Sequence, residues 1–420
     1  MFIAAAAVQV HDRETVDTPT PVRQPSSPPS TARVASVDAY RGFVMLLMLA
    51  EIFRSCAVAA ALPGSTFWGG VCYEQTHAAW VGASLHDLIQ PSFNFIVGMA
   101  LLFSISRRRS AGFPTMKLAG HVIGRSVLLI VIGVALMSSH PRHVVWMFTD
   151  TLAQIGLAFP FAFLIALRPK RDWWIALGGI LTLYWLWFVL YPVPSPGFDY
   201  ATVGVSSDWI NTHGLNGFFL HWQKNTNVGT VFDRWFLNLI PRDTPYIGDI
   251  TGLNTLNFIP TIGTMILGLV AADLLRTARP PMEKLRWLIA AGVALLASGW
   301  LLHVLGVCPV VKAVWTPSWV LFSGGWCFLL LAVFYAAVDL GGLTRLAFPL
   351  SVLGMNSLVA YAMSHLYPAL AHNGIRRVVG NSPFEVLGPA YVPMLYGCAV
   401  FAMYWIVLYA LYRRRIFVRI

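Results

Sequence analysis

Apolar and polar positions fall along this chain in long blocks rather than in short periods. After about residue 33, ten apolar stretches recur, at about 40–62, 87–106, 121–139, 144–167, 173–191, 257–276, 285–306, 318–339, 349–370 and 391–412. Each is close to the ~20 residues an α-helix needs to cross a hydrocarbon core. Helices satisfy their own backbone groups there, which irregular segments cannot. The pattern predicts an all-α, polytopic membrane helix bundle of about ten transmembrane helices. Several blocks also carry polar residues at helical spacing. Asp87, Gln90 and Asn94 follow i, i+3 and i+7 on the second. Asn254, Asn257, Thr261 and Thr264 follow i, i+3, i+7 and i+10 on the sixth, and Ser357, Tyr361, Ser364 and His365, preceded by Asn356, share a face on the ninth. Asp150, Thr151 and Gln154 form a polar turn within the fourth. One such stripe is explained as helix–helix glue. Several together predict a polar internal cavity.

The segments between the blocks set domain organisation and orientation. Residues 1–32 open on a short apolar stretch without a basic n-region, then turn polar and rich in Pro, Ser and Thr. They read as a disordered tail rather than a signal peptide, and 33–420 as one transmembrane domain. With the N-terminus inside, 21 of the 29 Lys and Arg residues fall on the cytoplasmic side and 8 on the other. That bias predicts cytoplasmic termini and suits a bacterial inner membrane. The longest loop, roughly 192–256, then lies outside, and its aromatics (Trp209, Phe218, Phe219, Trp222, Trp235) predict order and a cap over the outer face.

Composition supports this picture. The chain of 420 residues is 57% hydrophobic and only 11% charged, against about 25% charged in soluble proteins. A net charge of +11 invites a nucleic-acid reading. The basic residues are short clusters between apolar runs, however, which is a topology signal, so no nucleic-acid partner is expected. The five Cys (56, 72, 308, 327, 398) show no metal spacing, and no metal site is expected. Cys56, Cys72 and Cys308 share the outer side. A disulfide among them is allowed, but unpaired small hydrophobes are the favoured reading.

Candidate chemistry sits at both ends of the bundle. Asp38 and Arg41, one turn apart, open the first span at the cytoplasmic mouth; a cap and an interface anchor would look the same. Glu51 lies about ten residues into that span, near its middle, where a carboxylate must face the interior, pair or be protonated. His77 lies in a short outer loop ahead of Trp80 and Gly82, and imidazole is the side chain best matched to proton transfer near neutral pH. His86 and Asp87 start the second span, where the macrodipole alone accounts for an acid. Asp233-Arg234 and Lys312-Ala-Val-Trp315-Thr316-Pro317-Ser318 are outer-side polar motifs, the second ending in a capped helix start. The sequence has no P-loop, GxSxG, HExxH or dinucleotide fingerprint.

Ser36-x-Asp38-x-x-Arg41-Gly42, then His77-x-x-Trp80-x-Gly82-x-x-x-x-Asp87-Leu-Ile-x-Pro91-x-Phe93-x-Phe95-Ile-Val-Gly98, resembles the heparan-alpha-glucosaminide N-acetyltransferase family. Asp233-Arg234, Leu256-Asn257-Phe258-Ile259-Pro260, Lys312-x-x-Trp315-Thr316-Pro317-Ser318 and Gly354-Met355-Asn356-Ser357 continue the match in family order. The resemblance implies a transmembrane acyltransferase drawing on cytoplasmic acetyl-CoA, with His77 as the catalytic histidine, acting as general base or acyl carrier. The acceptor would be an amino sugar or another envelope glycan on the outer side. His77, Asp38 and Glu51 are then the expected catalytic set. Arg41, Asp87, Gln90, Asn94, Asn257 and Asn356 are expected to line the acyl-CoA path. Trp80, Asp233, Arg234, Lys312, Trp315 and His365 are expected around the acceptor. The bilayer is the expected surrounding, and a homodimer is compatible with the sequence. The alternative is a proton-coupled transporter of a sugar, lipid or acyl compound using Glu51, against which the lack of an obvious internal repeat counts. A third reading is a non-catalytic membrane scaffold.

Overall fold

The computed structural model describes residues 35–139, 143–366 and 368–418. The tail expected over residues 1–32 lies outside them. The described residues form sixteen α-helices joined by 3-10 turns, with no strand among them. In chain order these are α1 (Ala35–Leu49), α2 (Ser55–Ala61), α3 (Thr66–Glu74), α4 (Ile89–Ser110), α5 (Thr115–Met137), α6 (Thr151–Ala166), α7 (Lys170–Leu190) and α8 (Ser207–His213). They continue with α9 (Val228–Leu237), α10 (Phe258–Arg276), α11 (Pro281–Val304), α12 (Pro317–Phe334), α13 (Thr344–Met355), α14 (Ser357–Leu366), α15 (Pro368–Val379) and α16 (Val392–Arg413).

Each of the ten apolar stretches holds a helix among its described residues. Among the described residues, seven helices are long and apolar enough to cross a membrane, and up to nine spans result if each bent pair counts as one. The chain is thus an integral membrane protein of the helical class. Three of the stretches depart from one long straight helix for local reasons. In the fourth stretch Asp150 accepts a hydrogen bond from the Leu152 N–H at 2.8 Å and caps the helix. α6 therefore starts only at Thr151 and runs for 16 residues. The first stretch breaks after Leu49 into a 3-10 turn, Ala50–Phe53, and Arg54 turns left-handed before α2, with a bend of 41°. The ninth bends by 66° between α13 and α14, at Asn356. There the Asn356 side chain accepts from the Val418 N–H and donates to the Ile416 carbonyl, both at 3.1 Å, so it ties down the C-terminal strap.

The centre of the bundle is α4 against α10. A side-chain carbon at Gly98 would sit 2.1 Å from the Met265 carbonyl oxygen, and one at Gly268 would sit 2.0 Å from that of Phe95. Only glycine at both positions lets the two backbones approach this closely. The polar faces of these helices pack rather than open. Asn94, Thr261 and Thr264 are fully buried, with no protein partner for their side-chain polar atoms. The expected cavity is a closed polar seam at this point.

The long loop is ordered, as its aromatics predict. Trp222 is fully buried and joins Tyr184, Phe188, Val311 and Val314 in a second core at the end of α7. Asn225, Asn227, Thr230 and Asn254 knit the loop internally through side-chain hydrogen bonds. The loop therefore forms a lid of short helices beside α7, the start of α10 and the Cys308–Thr316 loop.

Candidate active site

Two loops build the site, and their sequences fix how they meet. The first runs from Gln75 to Leu85. Gly82 takes a φ of 105°, which disfavours any side chain, and its N–H donates to the Val310 carbonyl at 3.0 Å. Val81 and Val311 form an antiparallel bridge beside it. The second loop, Cys308–Thr316, is stiffened from within. Thr316 Oγ1 accepts from the N–H groups of Val311 and Trp319, capping α12, and Ser318 Oγ donates to the Pro309 carbonyl at 2.5 Å. Asn257, at the start of α10, donates to the Ala313 carbonyl at 2.8 Å. The bridge holds the loop that carries Lys312 against the loop that carries His77.

His77, Asp87 and Lys312 form one cluster. His77 Nδ1 lies 2.7 Å from Asp87 Oδ1, and Lys312 Nζ lies 3.1 Å from the same oxygen. Lys312 Nζ also sits 3.0 Å from His77 Nδ1 and 3.5 Å from Nε2. The other carboxylate oxygen accepts from the N–H groups of Ala78 and Ser84, both at 3.0 Å, and from Ser84 Oγ at 3.2 Å. Asp87 is buried at 1% exposure whereas the His77 side chain is 56% exposed. With an acceptor-only carboxylate at Nδ1, the proton belongs on Nδ1 and Nε2 is the basic atom. Burial pushes the Lys312 amine below its ordinary value, against the pull of the Asp87 charge. Asp87 thus serves the histidine and the lysine as well as the helix start, where it accepts from the Ser84 N–H.

A second pair adjoins the first. His86 Nε2 lies 2.8 Å from Glu51 Oε1, and the His86 and His77 rings are 4.6 Å apart. Of the three states expected for Glu51, facing the interior, pairing or protonation, it shows pairing. It stands on the 3-10 turn that follows α1, with an exposed side chain bonded to His86.

The other expected site residues are spread through the molecule. Asp38 and Arg41, 3.8 Å apart, are at the beginning of α1, the far end from Glu51 and His77. Trp80 is buried edge-on to Trp209, whose ring carries Lys224 Nζ at 4.6 Å. Asp233 accepts from the Thr255 N–H at 2.8 Å, and burial raises its carboxyl to about 7. Arg234 donates to the Ile247 and Asn225 carbonyls, so this motif holds the lid together. Trp315 is fully buried in the left-handed region, turning the chain into α12. Gln90 is half-buried on α4, one turn below Asp87. His365 stacks on Tyr361, whose hydroxyl donates to Asp150 Oδ2 at 2.5 Å. His86 and Ser84 belong to the site and were not placed there from sequence. The spacing Ser84-x-x-Asp87 was the available signal. Cys56 and Cys72 are bonded to each other, contrary to the favoured reading, and Cys308 is free and buried. No group of three metal-ligating side chains occurs among the described residues.

No family model matches the sequence. The chain is similar to human heparan-alpha-glucosaminide N-acetyltransferase, at 24% identity over 92% of this chain and 60% of that protein. It is similar to the mouse protein of the same name at 24% identity, over 80% of this chain and 54% of the relative. The chain therefore spans about 60% of the length of the human relative. These matches support a distant family relationship, in line with the motifs around His77.

Proposed function

We propose that the protein is a membrane acyltransferase that moves an acetyl group from acetyl-CoA to an amine or hydroxyl, with His77 as general base. The observation that carries this reading is the shared Asp87 oxygen between His77 and Lys312. With the proton on Nδ1, Nε2, 3.5 Å from Lys312 Nζ, is the atom that takes the acceptor's proton as the acceptor attacks the thioester carbonyl. The Lys312 ammonium stands beside the ring, where it can stabilise the oxyanion of the tetrahedral intermediate. The C–S bond then breaks, and the proton held by His77 passes to the departing thiolate. Asp87 orients the imidazole and offsets the charge that forms on it.

The donor's phosphates belong, in this reading, at the Arg41 end. Arg125 lies over the Phe159 ring at 4.8 Å there, electrostatically within reach of Arg41 and Arg108. The reaction would run from that end, read as cytoplasmic, to the His77 end. The similarity to the N-acetyltransferases favours an amino-sugar acceptor. The test is mass spectrometry of products after incubating the purified chain with acetyl-CoA and a panel of amino sugars. His77→Ala, checked for monodispersity, should lose about a hundredfold or more of the transfer rate. Undiminished transfer would overturn the assignment.

A further inference from the structure

Beside the His77 cluster lies a cleft of about 520 Å³ that the mechanism above does not use. Leu47 and Ala50 form one wall at the end of α1; Phe67, Gly70 and Val71 of α3 form the other. His86 and Leu85 line its inner end, and Glu74 joins them from α3. The walls are almost wholly apolar, while the polar groups gather at the end nearest the catalytic histidine. Glu51 holds His86 at 2.8 Å, Glu74 Oε2 accepts from the Leu85 N–H at 2.7 Å, and the His77 ring is 4.6 Å beyond His86. The Asp87 charge is matched by Lys312; Glu74 lines the cleft itself, and Glu51 stands behind His86, with which it pairs. Arg54, on the same turn as Glu51, does not line the cleft.

We infer that this cleft binds the acceptor, and that the acceptor is an amphipathic amine: a protonated amine on a polar head, joined to an apolar group. This rests on the acyltransferase reading. The apolar group lies between α1 and α3, and the two carboxylates draw the ammonium towards His86 and His77. The ammonium first gives up one proton to solvent. The neutral amine attacks the thioester carbonyl, a C–N bond forms and the C–S bond breaks. The second amine proton goes by way of His77 to the sulfur. The products are an acetamide, free CoA thiol and one proton.

Gly70 and Gly69 allow a clean test. Both lie on α3, and a side-chain carbon at either meets nothing within 4 Å, but only Gly70 lines the cleft. Replacing a helical glycine also favours the helix. The full chain, Gly70→Phe, the milder Gly70→Leu and the control Gly69→Phe would be assayed with acetyl-CoA. The acceptors would be glucosamine, hexyl β-glucosaminide and hexyl β-glucoside, with thermal stabilisation by each acceptor measured alongside. The parent should show a KM for the hexyl amine at least about tenfold below that for glucosamine, since burying a hexyl chain far exceeds that requirement. The hexyl glucoside should not be acetylated. Both Gly70 variants should raise the KM of the hexyl amine about tenfold and leave those of glucosamine and acetyl-CoA unchanged, and Gly69→Phe should match the parent. Equal KM values for the two amines, or a Gly70 effect on acetyl-CoA instead, would overturn the cleft assignment while transfer itself stood. Stabilisation by the hexyl amine, abolished in Gly70→Phe but without transfer to any acceptor, would overturn the acyltransferase reading and leave an amphiphile site.

Discussion

At the residue scale, the site turns on one carboxylate oxygen shared by an imidazole and an ammonium. Lys312 is tied to that oxygen, yet burial lowers its affinity for a proton. Its charge is therefore lost at a lower pH than that of a free lysine, about 10.4. The transfer rate should fall on an alkaline limb below that value. Lys312→Arg should remove the limb, because a guanidinium stays charged throughout. Lys312→Met should slow transfer about 10- to 1,000-fold at neutral pH. A pH–rate profile of the three proteins decides the matter. Asp233 gives a second pH effect, on stability. Its folded-state carboxyl titrates at about 7, because burial outweighs its hydrogen bond from Thr255. In the unfolded chain it titrates near 4. Between those values the folded protein holds the extra proton, so stability falls as pH rises from about 4 to about 7. Asp233→Asn should raise the apparent Tm at pH 8, and the gain should shrink towards pH 4. A gain independent of pH would refute the assignment.

At the scale of elements, α2 and α3 form a hairpin that walls the cleft, and α3 buries none of its residues. Its packing is limited to half-buried residues such as Trp68, whose ring meets Tyr391 at 5.8 Å. What ties it down is the Cys56–Cys72 disulfide, the Ser55–Gln75 hydrogen bond and the Glu74–Leu85 contact. The bond closes a separation of 16 residues, for which loop entropy suggests about 3 kcal/mol. The double Cys56→Ser, Cys72→Ser variant should lower the apparent Tm and expose residues 62–75 to protease. Reductant should bring the parent to the same state. An unchanged digestion pattern would mean that the disulfide is idle. This hairpin also marks where the sequence stops being legible. Its residues belong to no stripe of period 3.6, so nothing in the pattern reports which cysteines meet. The spans themselves were legible because each is a long apolar block. The breaks at Leu49 and Asn356 were not, because the apolar signal runs on past them while the backbone turns. Asp87 was legible as a polar position but not as a partner. Its burial beside His77 depends on the Val81–Val311 bridge, a contact between loops more than two hundred residues apart.

At the scale of the whole molecule, the two ends of α1 carry opposite duties. Arg41 and Glu51 are ten helical residues apart, roughly 15 Å. At one end Arg41, Arg108 and Arg125 gather positive charge, and at the other His77, Asp87 and Lys312 gather proton chemistry. A polyanionic donor and a cationic acceptor would each be drawn to a different end. Only the thioester has to reach across, through the helices that pack against α1 and α4. The arrangement therefore predicts a sided reaction. In proteoliposomes of sorted orientation, product should form when acetyl-CoA is supplied at the Arg41 face and the amine at the His77 face. It should not form with the two exchanged. Arg41→Gln should raise the KM for acetyl-CoA about tenfold, the scale of one charge-assisted phosphate contact, and leave kcat near that of the parent. Arg41 already pairs with Asp38 at 3.8 Å, so Asp38→Asn is the informative companion. If Asp38 only restrains Arg41, its loss should leave the KM equal or lower. If transfer proceeds equally from either face, the donor does not enter at the arginines, and both ends of the path would have to be sought on the His77 side.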